Sequence, residues 1–231
     1  MYYLQKRSNL DLLRADMWRI ESGVVRATTW LEDGVTTLGF WGAGDIVNGG
    51  LFRQENYQLE CLTPVTASPL LAENCPDLVL LAQIHQLQEL LIIRSCKRIE
   101  EMLLKLLTWL GGRFGEAGTA GLILKTFLTH QDIAETLSTT RVTITRSLKQ
   151  LERQGTIRHL DNRRLFIDRS AYSSLAEPLL RRNDPAPQKL VENLTTVTSH
   201  SLILPLVGDS GAFALAIATP RSNRPLSVSY R

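Results

Sequence analysis

Residues 130–154 constrain the chain more than any other stretch. They read as two short helices joined by a tight polar turn. Thr129 stands where an N-cap belongs, with Asp132 three residues on, and Ile133, Ala134 and Leu137 mark the inner side of a first helix. Ser138 and Thr139 break it. Thr140 opens a second helix, in which Ile144, Leu148 and Leu151 recur at i, i+4 and i+7 as an inward stripe. The other side carries Arg141, Val142, Thr145 and Arg146, which at about 100° per residue form one outward patch near the helix start. Arginine can pair bidentately with guanine O6 and N7, and small apolar groups meet the thymine methyl. A recognition helix presents its N-terminal residues to base edges in this way. The plainer reading is a surface helix of an all-α protein with solvated arginines.

Residues beyond this pair favour DNA. Gly155 is placed to end the second helix. Residues 156–160 and 164–168 are short runs flanking the polar Asp161-Asn162-Arg163, the pattern of a hairpin. A hairpin directly after such a helix pair is a wing, whose Arg158, Arg163 and Arg164 would face the sugar–phosphate backbone. Thr126–Arg169 holds eight Lys and Arg against five Asp and Glu, a modest local net of +3.

The first 72 residues have a different texture, with short β-branched and apolar runs split by turns. Strands are expected over 17–23, 24–31, 35–41, 57–62 and 65–71, with a hairpin turn at Glu32-Asp33-Gly34. Regularly spaced short strands favour a compact sandwich or roll. From Leu78 to Arg113 there is no proline, and no glycine before Gly111. Apolar residues recur there at steps of three and four, predicting one long helix or two with a break near Arg94–Lys97. So apolar a helix suits a dimer seam, with Ile84, Leu87, Leu91, Ile99, Met102 and Leu103 along it; the alternative is packing within one chain. The glycines from Gly111 to Gly121 read as a hinge-like linker. Asn183-Asp-Pro-Ala-Pro187 is a breaker, and residues 183–231 carry two apolar bursts, 202–207 and 212–218, and no motif.

The expected architecture is therefore α+β: a roll over 1–76, a dimerisation helix over 77–113, a winged helix-turn-helix over 114–182, and a tail. Three widely spaced cysteines (Cys61, Cys75, Cys96) suggest reduced thiols in a cytoplasm. Four scattered histidines at 85, 130, 159 and 200 offer no metal-binding pair, and no apolar run approaches the ~20 residues of a membrane span.

Residues 17–170 together resemble the Crp/Fnr family of bacterial transcription regulators. The resemblance rests on Met17-Trp-Arg-Ile-Glu-Ser-Gly-Val-Val-Arg, Glu32-Asp-Gly34 and Gly44-Asp45, which look like the family's roll turns. It rests also on His130-Gln-Asp-Ile-Ala-Glu-Thr-Leu and Thr140-Arg-Val-Thr-Ile-Thr-Arg146, which look like its DNA motif. The last run is the specific one, and within the family it is most similar to the cyanobacterial nitrogen regulator NtcA. The resemblance implies a cyclic-nucleotide-binding-like roll, a homodimer, double-stranded DNA and RNA polymerase as partners, and a palindromic site with GTA-type half-sites. It implies that Arg141 and Arg146 read bases, that Val142 meets a thymine methyl, and that Thr140 and Thr143 touch phosphates. The cyclic-AMP receptor protein and Fnr carry a glutamate at the position of Val142; a valine cannot accept from cytosine N4, so their operators are not expected to be shared. Met1 stands about where the family's first strands begin, so no leading helix is expected.

No effector of the family is matched by its residues. A cyclic nucleotide needs a Gly-Glu pair and an Arg-Ser pair, where Gly49-Gly50 and Glu55-Asn56 stand, with Arg53 two residues away. The arginine of a 2-oxoglutarate site is not found near Glu55, and neither an iron–sulfur cysteine group nor haem ligands occur. No cofactor is therefore expected. Two other readings compete. An enzyme on a cupin-like roll would need histidine ligands, and no histidine precedes His85. A ligand-binding signalling module that acts through protein partners would let the DNA motif decay, and Arg141 and Arg146 are intact.

Overall fold

A computed structural model of the chain describes residues 1–11, 15, 17–32, 34–48, 56–70, 77–161, 163–171, 203–207 and 213–217. Seven strands make the roll: β1 (Tyr2–Leu4), β2 (Met17–Ser22), β3 (Val24–Leu31), β4 (Gly34–Gly42), β5 (Ile46–Asn48), β6 (Tyr57–Cys61) and β7 (Val65–Leu70). They form two antiparallel sheets, ordered β1-β7-β2-β5 and β4-β3-β6. Strand alternation explains the interior. Trp18 and Ile20, Val25 and Ala27, Leu59 and Cys61, and Val65 and Ala67 are i, i+2 pairs that meet in one buried cluster. The Cys61 thiol, buried there, has its pKa pushed up to about 11 by desolvation, which marks it as an inert core residue. The expected hairpin is present, with β3 and β4 paired down to Leu31 and Gly34. The three-residue strands β1 and β5 are additions to the expected set, too short to show a period in the sequence.

On β3 nearly every residue is buried, because both of its faces are covered. Val25 and Ala27 look into the roll. Val24 joins the second core cluster, which continues through the helices, and Arg26 lies beyond it on the same face.

The helical stretch is two helices, α1 (Asp77–Arg94) and α2 (Ile99–Phe114), broken where the sequence offered a break. The amides of Ser95 and Cys96 turn back to carbonyls of the last turn of α1. Arg98 is extended, at φ −104° and ψ 132°, and Glu100 and Glu101 fill the first turn of α2, complementing its dipole. The expected seam divides accordingly. Ile84, Leu87 and Leu91 are exposed on α1, together with Leu81 and Ile92. Leu103 is not a seam residue: it is fully buried within the chain, and Ile99 and Met102 pack against the same cluster. The break is the reason, since it lets α2 turn its apolar side onto the C-terminal helices and sheet.

The glycine-rich linker is also corrected. Gly111 and Gly112 are helical, inside α2. A Cβ on Gly111 would lie 3.2 Å from Leu122 and 3.6 Å from Ile167, so this glycine permits close packing. After α2 come β8 (Glu116–Ala117) and β9 (Gly121–Lys125), two strands of a four-stranded sheet ordered β10-β11-β9-β8, with β10 (Ile157–Leu160) and β11 (Arg164–Asp168).

Between β9 and β10 lie α3 (His130–Thr136) and α4 (Arg141–Arg153). Leu103, Leu106 and Leu110 of α2 share one cluster with Ile144, Leu148 and Leu151 of α4 and with Ile157 and Ile167 of the sheet. Gly155 lies just beyond α4 at φ +74°, with open space where a Cβ would stand. Gly155→Ala is expected to lose about 1–2 kcal/mol in urea unfolding, a backbone cost with no clash in it.

The chain divides into two compact units, residues 1–187 and 188–231. The second unit contains β12 (Ile203–Val207) paired antiparallel with β13 (Phe213–Ile217), the two apolar bursts. No helix among the described residues is long and apolar enough to cross a membrane. Among them, too, no group of His, Cys, Asp or Glu is arranged to hold a metal ion.

Candidate nucleic-acid interface

Each helix of the pair starts on its own cap. Thr129 and Asp132 form a reciprocal capping box on α3: the Asp132 amide donates to the Thr129 hydroxyl at 3.2 Å, and the Thr129 amide donates to the Asp132 carboxylate at 2.7 Å. Leu137 closes α3, and Ser138 takes the left-handed φ of +51° at the turn. Thr140 caps α4, its hydroxyl accepting from the Thr143 amide at 3.2 Å and sharing a 2.9 Å hydrogen bond with the Thr143 hydroxyl.

With Ile144, Ser147, Leu148 and Leu151 buried, α4 has one rotational setting. It leaves Arg141, Val142 and Arg146 exposed, Val142 by 59%, and Thr145 half-buried beside them. The predicted patch is thus one surface. Thr140 and Thr143 sit at its edge with their hydroxyls engaged in the cap. Thr145 differs from its neighbours. Its hydroxyl donates to the Arg141 carbonyl at 2.9 Å and lies 2.9 Å from Nδ1 of His130 on α3. Burial, then the charges of Arg141 and His159, hold the His130 pKa below its ordinary value of 6.5.

The wing is in place beside α4. Arg163 has φ +55°, and its carbonyl accepts from both the amide and the hydroxyl of Thr126, which pins the turn to the strand behind it. Arg158, Arg163 and Arg164 are all exposed. Arg158 stacks over the Phe166 ring at 4.6 Å, and Arg164 Nε donates to the Asp161 carbonyl at 3.3 Å. His159 Nδ1 lies 3.0 Å from Glu152 of α4, tying wing to helix.

Behind this surface is a cluster that sequence reading missed. Asp132 takes a bidentate pair from Arg7, at 3.0 and 2.7 Å, and a third contact from Arg26 at 3.0 Å. Arg26 also donates to Glu60 at 2.7 Å and lies 2.9 Å from Glu135, an ion pair without hydrogen-bond alignment. Arg7 closes the ring on Glu60 at 2.8 Å. Arg94, at the end of α1, donates to the carbonyl of Thr136 at 2.7 Å and to that of Thr37 on β4, and burial lowers its pKa. The hydroxyl of Thr136 meets that of Thr37 at 3.1 Å. The roll therefore grips α3 by charge, at residues far from it in sequence. One signal was available: an arginine inside the apolar run Val24-Val-Arg-Ala needs a buried anion. The expected effector positions Gly49, Gly50, Arg53 and Glu55 lie outside the described residues.

Comparison with known proteins agrees with this geometry. A Crp-like helix-turn-helix domain matches residues 97–171. The chain is 39% identical to the regulatory protein CysR of Synechococcus elongatus over 159 residues, 65% of this chain and 75% of that protein. It is 25% identical to the electron transport regulator A of Shewanella oneidensis over 176 residues, 69% of this chain and 70% of that one. Among solved structures, a CRP-family transcriptional regulator of Thermus thermophilus superposes with a TM-score of 0.63 at 18% identity, covering 77% of this chain and 97% of its own. FixK2 of Bradyrhizobium japonicum superposes with a TM-score of 0.61 at 18% identity, covering 75% and 95%. At such identities the likeness is one of fold.

Proposed function

Since this chain belongs to the Crp/Fnr family of transcription regulators, we propose that it binds a palindromic promoter site as a homodimer and regulates transcription there through RNA polymerase. The observation that carries the reading is the face of α4: Arg141, Val142 and Arg146 are exposed together while the opposite stripe is buried. Arg141 and Arg146 read bases, Val142 meets a thymine methyl, and GTA-type half-sites suit that set. Thr140, Thr143 and the wing arginines hold phosphates. The protein works in the cytoplasm and is not an enzyme, and no cofactor is assigned to it.

The apolar stripe of α1 supplies the dimer. Leu81, Ile84, Leu87, Leu91 and Ile92 are exposed on one chain, more apolar surface than a helix leaves in water without a partner. Ile84→Glu combined with Leu91→Glu is expected to convert a dimer to a monomer in analytical ultracentrifugation, with the helical circular dichroism kept. A dimer that survives both charges would refute the seam.

Selection of bound duplexes from a random pool, with purified protein and no added ligand, tests the function itself. Enrichment of a palindrome supports it; failure to enrich any sequence, with or without cell extract, overturns it. On the selected site, Arg163→Ala is expected to weaken binding to all sequences alike and to lower the salt slope by about one.

A further inference from the structure

We infer that Thr145 reads the operator through its methyl group alone, and that His130 is the positioning residue that keeps its hydroxyl out of the groove. The inference rests on the proposed DNA-binding reading of α4. Thr145 shares the outward patch with Arg141, Val142 and Arg146, so a hydroxyl there would ordinarily count as a hydrogen-bonding reader of base edges.

The hydrogen bonds remove that option. A threonine hydroxyl has one proton, and this one is donated to the Arg141 carbonyl at 2.9 Å, the i−4 bond open to threonine in a helix. The His130 ring stands 2.9 Å from the same oxygen. With the hydroxyl proton spent, Nδ1 of His130 must be the donor, which fixes the ring's tautomer. Thr145 thus gives its proton to its own helix and accepts one from α3. Both bonds turn the oxygen toward protein, and the methyl is the group left to meet a base.

The consequence is a particular order of chemistry on α4. Val142 and Thr145 are i and i+3 neighbours, so their methyl groups form one apolar patch between two guanidiniums. Such a face suits a half-site in which thymine methyls lie beside a guanine. His130 touches no base in this scheme and acts only through Thr145.

The test uses the full-length protein and the palindrome obtained by selection. Each thymine of a half-site is replaced singly by deoxyuridine, which removes the methyl and leaves O4 unchanged. At the thymine that Thr145 meets, distinct from the one assigned to Val142, the wild type is expected to lose about fourfold in affinity, the worth of one buried methyl group. Thr145→Ser keeps the hydroxyl and should bind the thymine and deoxyuridine sites equally. Thr145→Val keeps the methyl and should retain the fourfold discrimination, whatever its overall affinity. His130→Ala should blunt the same discrimination, and His130→Asn, which can still donate to the hydroxyl, should restore it. Discrimination kept by Thr145→Ser, or lost by Thr145→Val, overturns the inference, as does a half-site with no thymine whose methyl Thr145 senses. A pool that enriches no sequence removes the DNA-binding reading, and this inference with it; enrichment followed by the wrong pattern removes only the inference.

Discussion

Asp132→Ala is expected to lower the stability of the protein by about 3–5 kcal/mol, the usual loss when one partner of a buried ion pair is removed. Asp132 is only 2% exposed, and its carboxylate serves Arg7, Arg26 and the Thr129 amide together. Alanine leaves Arg26, itself buried, facing Glu60 and Glu135 without its central anion, and removes half of the capping box of α3. Asp132→Asn, which can still accept from the Thr129 amide, should lose less. Urea unfolding followed by tryptophan fluorescence measures both; a loss under about 1 kcal/mol for alanine would show that the cluster contributes little. The same carboxylate sets an acid limit. Burial alone would raise its pKa, but the Arg7 pair, the Thr129 amide and Arg26 outweigh burial and hold it below the ordinary value of 3.8. A carboxylate depressed in the folded state adds stability that is complete above its unfolded pKa and is lost as pH falls through the folded one. Wild-type stability should therefore drop as pH is taken down through 3.8, and the drop should be shallower in Asp132→Asn.

Arg146→Ala is expected to cost about 1–3 kcal/mol in binding to the selected palindrome, a loss of roughly 5- to 150-fold, and Arg141→Ala a similar amount. Both side chains are exposed and neither supports the buried stripe of α4, so unfolding should be unaffected and the loss confined to DNA. The loss should also be selective: affinity for random duplex falls much less, because a base contact is removed where a wing arginine would remove a phosphate contact. Gel-shift titrations on the two duplexes measure the ratio. Unaltered operator affinity in Arg146→Ala would refute its assigned role.

The parts of the interface that could be read in the sequence are those whose reason is local. Thr129 announced an N-cap, Thr140 announced the start of α4, and the i, i+4, i+7 stripe set which face of α4 points outward. In the roll, short β-branched and apolar runs between turns announced β2, β3, β4, β6 and β7, but not which of their residues meet inside. Where local reasons ran out, the reading failed in identifiable ways. Leu103 has the same periodicity as Leu91, yet one is buried within the chain and the other exposed, because the break after Arg94 re-aims α2. Gly111 and Gly112, read as part of a hinge, are helical, and Gly111 packs close to Leu122 of the adjacent sheet.

Two capped helices, an outward Arg-Val-Thr-Arg patch and a set of short amphipathic strands are already specified along the chain, since caps and periods act over a few residues. Folding in three dimensions was needed to make Arg7 and Asp132, 125 positions apart, share a bidentate pair. It was needed also to make Arg26 a buried link between roll and helix, and to hold the Thr145 hydroxyl against His130 across a turn. Charge pairing and hydrogen bonding are set by distance in space, and that distance can be inferred from the order of residues only where the backbone between them is regular.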